Sequence, residues 1–120
     1  MPRSLVVKVT VDMREAPERC ALAFVSAAEA AAAGTVVSFW LAGDASWFAL
    51  PGRTDGIEIP DAAPLGELLG TLTTGSRVTL CKHCANRREI TAGALCPGVR
   101  MAGAPVFVEE CLHATRAVVY

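Results

Sequence analysis

Two cysteines three residues apart, Cys81 and Cys84, lie in the stretch from Thr79 to Ile90. Such a pair can attack a sulfur or a peroxide, close a disulfide, or bind a metal, and each chemistry asks for a different setting. An apolar run, Arg77 to Cys81, reads as a strand that ends on the first cysteine, and a basic, helix-like run follows. If strand passes into helix here, Cys81 sits at the strand's carboxyl end and near the helix's amino end. Unpaired N–H groups at a helix start stabilise a thiolate, and so do nearby cations. Lys82, Arg87 and Arg88 supply charge close in sequence, and His83 adds more when protonated.

Three readings of the pair follow. A thiol active site, redox or sulfur-carrying, needs an exposed thiolate, which the strand-to-helix turn offers. A structural zinc site needs two further ligands with their own close spacing, and the remaining candidates, Cys96, Cys111 and His113, fit that pattern poorly. In the third reading the two are buried thiols that happen to be close.

The other cysteines have less to offer. Cys20 shares a helix face with Phe24, Ala27 and Ala31 and is expected to be a small buried hydrophobe. Cys111 receives the same reading, with Phe107, Val108 and Leu112 facing inward and Glu109, Glu110 and His113 facing out. Cys111 and His113 then project to opposite sides of one helix and do not share a metal. His113 is expected to partner Glu109, four residues back. Cys96, in Leu-Cys-Pro-Gly, sits in a turn from which it could approach Cys81 or Cys84 as a third thiol. Trp40, Trp47 and Phe48 either line a pocket near the second strand's carboxyl end or are core or subunit-interface residues. No Gly-rich phosphate loop follows the first strand and no serine lies in a nucleophile elbow.

The 120 residues suffice for one domain, residues 1–120, with a real core. A net charge of −1 leaves no electrostatic footprint for nucleic acid or an anionic membrane. With 52% hydrophobic and 19% charged residues, some surface is expected to be covered by self-association. No segment looks like a leader, and the longest uncharged run, Ala30 to Gly43, is too short to span a bilayer. A soluble cytoplasmic protein is expected. Its five cysteines are then free, catalytic or metal-bound rather than a disulfide framework.

The elements that must position the thiols alternate along the chain. Ser4 to Thr10 reads as a buried strand, and Pro17 opens an amphipathic helix ended by Gly34. Val36 to Ala42 is a second strand, Ala45 to Leu50 a short apolar helical turn, and Pro51 to Pro64 a loop. A helix from Leu65 ends near Gly75 and leads into the strand that delivers Cys81. A helix over Ala85 to Leu95, a strand over Val99 to Ala102, a helix from Pro105 to Ala114 and a strand from Arg116 to Tyr120 complete the chain. Strands alternating with helices predict an α/β layer fold with a mostly parallel sheet and right-handed crossovers. Ligands and chemistry in such sheets collect at the carboxyl ends of the strands, where Cys81 is placed.

In order and spacing, several markers together resemble the DsrE/DsrF-like family, nearly end to end. They are Pro17-Glu18-Arg19 opening an alanine-rich helix, Gly34 before Val36 to Leu41 and Gly43, and Leu68-Leu69 with Gly75. Val78 to Cys81 with Cys84 and Arg87, Pro97-Gly98, Gly103-Ala104-Pro105 and Val118-Val119-Tyr120 complete the set. The resemblance implies a flavodoxin-like three-layer fold with a five-stranded sheet and assembly as homotrimers or hexamers. It also implies a persulfide-carrying cysteine at the position of Cys81, a second cysteine matched by Cys84, and a sulfur donor or acceptor protein as partner. Arg88 departs from the pattern, since many relatives have glycine after the arginine.

The expectation is therefore a thiol protein that transfers sulfur as a persulfide or does redox chemistry at Cys81 and Cys84, with no cofactor. The competing reading is a non-catalytic binding or assembly module of the same fold, and after it a zinc-binding protein.

Overall fold

A computed structural model describes residues 2–120. Short apolar and β-branched runs form five strands: β1 (Ser4–Val9), β2 (Val36–Leu41), β3 (Arg77–Cys81), β4 (Val99–Ala102) and β5 (Arg116–Val119). Between them lie α1 (Pro17–Ala32), a 3-10 helix (Gly43–Ala49), α2 (Leu65–Gly75), α3 (Lys82–Arg87) and α4 (Ala104–His113). The strand order is β4-β3-β2-β1-β5 and every pairing is parallel, so the α/β expectation holds.

This order fixes the layers. The chain steps outward from β1 through β2 and β3 to β4, then crosses back to place β5 on the far side of β1. Right-handed crossovers in opposite directions put their helices on opposite faces of a sheet. Neighbouring residues of β2 show both faces. Phe39 meets Phe24 of α1 with ring centroids 4.9 Å apart, whereas Trp40 meets Phe107 of α4 at 5.2 Å. The α1/α2 side is the apolar core, where Val7, Val9, Phe24, Phe39, Leu41, Leu65, Leu72 and Leu80 are fully buried.

Two sequence expectations fail here. Instead of one helix over Ala85 to Leu95, α3 stops at Arg87 and a separate 3-10 turn covers Ala92–Ala94. The stop is a Schellman cap: the Ile90 N–H bonds to the Ala85 carbonyl at 2.9 Å and the Glu89 N–H to that of Asn86 at 3.2 Å. Buried Ile90 and Ala85 provide the apolar contact that accompanies such caps. Glu89 takes the left-handed position, at φ 55°, that glycine usually fills.

The second failure concerns which way α4 faces. Glu110, expected outside, is turned onto the sheet, where it accepts hydrogen bonds from the Ser38 hydroxyl and the Trp40 indole and pairs with Arg77 and Arg100. Val108 and Leu112, expected inside, are 52% and 74% exposed. The inner face of α4 thus matches polar residues on the sheet, and an apolar stripe cannot signal that arrangement. Among the described residues no helix is long and apolar enough to cross a membrane.

Candidate functional site

Cys81 is the last residue of β3, in register with Ala102 of β4, and at φ −61° and ψ 119° its extended backbone caps α3. This is the strand-to-helix turn expected from the sequence. The helix that follows has only six residues, so the turn offers less helix dipole than a full-length helix would. Lys82, His83 and Arg87 are exposed to solvent, whereas Cys81 and Cys84 are half-buried. The two cysteines are three residues apart across the first turn of α3, a spacing that makes side chains neighbours.

The contact that organises this end of the sheet belongs to Cys84. The backbone N–H of Gly43 donates to the Cys84 Sγ at 3.2 Å. Gly43 follows directly on the last residue tied to β1, since the Ala42 N–H still bonds to the Val9 carbonyl at 3.0 Å. The backbone then turns at φ +52°, in the left-handed region, and a Cβ on Gly43 would lie 2.4 Å from the Thr10 carbonyl oxygen. Both facts demand glycine. The turn aims one main-chain donor at a sulfur, which orients that sulfur and gives it, as a thiolate, a fixed dipole to lie against.

Arg88 locks the two segments together. Its guanidinium donates to the Cys84 carbonyl at 3.1 Å and to the Asp44 carboxylate at 2.7 Å, so one side chain ties the end of α3 to the residue after Gly43. Sequence reasoning found the cysteines but missed Gly43, Asp44 and this role for Arg88. The available signal was the Gly43-Asp44 pair closing a strand, a place where only a special turn requires glycine.

The remaining cysteines stand apart from this arrangement. Cys20 is fully buried, and burial, with the Asp12 charge adding to it, pushes its thiol up to about 12. Burial also pushes up the Cys96 thiol, and the Cys96 N–H bonds to the Ala49 carbonyl at 2.8 Å. Cys111 is half-buried on α4, its thiol raised by burial and by the adjacent Glu110 charge. His113 lies 3.4 Å from Glu109, as its spacing predicted. Among the described residues no three His, Cys, Asp or Glu side chains gather where they could hold a metal ion.

Trp47 and Phe48 line a cavity of 530 Å³ at the carboxyl ends of β1 and β2, together with Asp12, Met13, Arg14, Asp44, Arg53 and Ile57. Trp40 does not join them, being buried beneath α4 on the other face.

A sheet of this order, with a cysteine ending its third strand, can be compared with known proteins. The model of the DsrE/DsrF-like family matches residues 7–120. The chain belongs to that family. A crystal structure of the YchN protein from E. coli shares the fold, with a TM-score of 0.73 and 20% identity over 100% of both chains. At that identity the likeness speaks for the fold alone. No curated protein matches the chain.

Proposed function

We propose that this protein transfers sulfur, or exchanges disulfides, through Cys81 and Cys84 acting as a pair. The observation that carries the reading is the Gly43 N–H aimed at the Cys84 sulfur at 3.2 Å, in a turn that only glycine can make. Cys81 is the sulfur carrier, in keeping with the position that the resemblance to sulfur-relay members of the family gives it. Its thiolate attacks the outer sulfur of a persulfide donor, the S–S bond breaks, and the donor leaves as a thiol. Cys84 then takes the sulfur on or shields it. In the redox variant of the reaction the two thiols close a disulfide as they reduce a peroxide or another disulfide.

Self-association belongs to the same proposal. Val106, Val108 and Leu112 of α4 and Val118 and Val119 of β5 are exposed, a concentration of apolar surface that a second and third copy of the chain would cover. A homotrimer acting in the reducing cytoplasm fits this surface and the free thiols. Intact-protein mass spectrometry after exposure to a sulfane-sulfur donor tests the chemistry. The wild type gains one sulfur, Cys81→Ser gains none, and Cys84→Ser gains sulfur but fails to release it. Sulfur uptake by Cys81→Ser equal to that of the wild type would favour a binding module in which the thiols are bystanders.

A further inference from the structure

The Gly43–Cys84 contact joins two segments that the backbone alone does not hold together. Gly43 opens the 3-10 helix after β2, and Cys84 lies in α3 after β3. A helix of six residues has little stability of its own, so α3 keeps its place through what its side chains hold. Lys82, His83 and Arg87, the other cations beside the thiols in sequence, are exposed and form no ion pair among the described residues. Arg88 turns inward. With one nitrogen on the Cys84 carbonyl and another on the Asp44 carboxylate, it fixes both the residue that carries the sulfur and the residue after the N–H donor. It also neutralises a charge. Asp44 directly follows Gly43, and an unpaired carboxylate there would oppose a thiolate on Cys84. The Arg88 guanidinium, 2.7 Å from that carboxylate and only 19% exposed, masks it.

We infer that Arg88 is a positioning residue for the second step of the reaction, the passage of sulfur from Cys81 to Cys84. The inference rests on the thiol reading above and deepens it by naming the group that readies the second cysteine. In that step the Cys84 thiolate attacks the outer sulfur of the persulfide on Cys81. A bond forms between the Cys84 Sγ and that sulfur, the S–S bond on Cys81 breaks, and Cys81 leaves as a thiolate. The outer sulfur keeps its proton, so nothing else is consumed. Arg88 acts through two neighbours of the Cys84 sulfur: the Gly43 N–H, which it keeps aimed there, and the Asp44 charge, which it masks.

Trypsin cleaves after Lys82, so Cys81 and Cys84 fall in separate peptides and mass spectrometry locates the sulfur. The full chain is loaded with inorganic polysulfide, freed of the donor and quenched with iodoacetamide at intervals. In the wild type the extra sulfur should appear on Cys81 first and then on Cys84. Arg88→Gln should load Cys81 at the wild-type rate but pass the sulfur to Cys84 about fivefold more slowly, the scale of a partly exposed ion pair. Arg88→Lys keeps a cation for Asp44 but loses the fork that also reaches the Cys84 carbonyl, so it should recover part of that loss. Asp44→Asn should slow the passage less than Arg88→Gln, because the hold on the Cys84 carbonyl survives and no bare carboxylate is left. A merely structural role would slow loading and passage together in all three variants, and that result would overturn the inference. Passage at the wild-type rate in Arg88→Gln would overturn it too, as would sulfur that stays on Cys81 in the wild type. Each of these leaves Cys81 as the sulfur carrier. If the folded wild type takes no sulfur on Cys81 while the unfolded chain does, the thiol reading itself falls and this inference with it.

Discussion

The two faces of the sheet are built on opposite principles, although alternate residues of the same strands supply both. Toward α1 and α2 the strands present Val7, Val9, Phe39, Leu41 and Leu80, all apolar and fully buried. Toward α4 they present Ser38, Trp40, Arg77, Thr79 and Arg100, joined by hydrogen bonds and ion pairs centred on Glu110. Lys8 caps the same face with its ammonium 4.1 Å from the centroid of the Phe107 ring. The first face is held by the removal of apolar surface from water. The second is held by matched partners, so it loses stability when one partner goes unmatched. The thiol site belongs to neither face. It lies at the strands' carboxyl ends, where the backbone must leave the sheet.

The largest effect should come from the apolar face. Phe24 is fully buried between Phe39 and Phe48, with centroids 4.9 and 5.7 Å away. Phe24→Ala should cost about 3–5 kcal/mol in chemical denaturation, from lost transfer energy plus the cavity left behind. On the polar face, Glu110→Ala strands Ser38, Trp40, Arg77 and Arg100 at once. Because both arginines keep some access to water, the expected cost is about 2–3 kcal/mol. If Glu110→Ala were harmless, the network would be ornament and α4 would be held by its apolar residues alone.

Acid sharpens the same contrast. Burial pushes the Glu110 carboxyl up, but the Ser38 hydroxyl, the Trp40 indole and Arg100 outweigh it and hold the group below its ordinary value of 4.5. A carboxyl lowered by folding contributes stability that is fully present above the unfolded value and is lost as pH falls through the folded one. Stability should therefore decline with acid below about pH 4.5, the ordinary value, and the decline should be shallower in Glu110→Gln. Denaturation curves collected across that range, for both proteins, check the sign.

Smaller effects come from backbone positions between the faces. Gly43→Ala places a Cβ 2.4 Å from the Thr10 carbonyl and strains a left-handed turn. It should destabilise by about 2 kcal/mol and slow the labelling of Cys84 more than that of Cys111. Glu89→Gly relieves the left-handed strain at φ 55°. It should stabilise by about 1 kcal/mol, the αL penalty less the entropy glycine gains when unfolded. A loss of stability on that substitution would mean that the Glu89 side chain makes a contribution the cap geometry does not contain.

The legibility of the sequence follows the same division. Strands such as Val36–Leu41 and the helix Pro17–Ala32 were readable because periodicity and a proline and a glycine at the ends mark them locally. The position of Cys81 was readable too, as the last residue of an apolar run. The inward turn of Glu110 was not, because its reason lies in Ser38 and Trp40, more than sixty residues earlier in the chain. The Gly43–Cys84 contact was hidden for the same cause: it joins the start of the 3-10 helix to the first turn of α3, whose adjacency only the strand order creates. The end of α3 was missed because a glutamate occupies the position that glycine normally marks.

Competitive labelling of all five cysteines tests the central claim, that Cys81 and Cys84 form the working site, most directly. The native protein is treated with limiting iodoacetamide and each cysteine's rate is read by peptide mass spectrometry. Cys81 and Cys84 should label first, Cys96 and Cys111 more slowly, and Cys20 only after unfolding. If Cys84 labelled no faster than Cys111, the Gly43 turn would be a structural joint and the thiol account would be wrong.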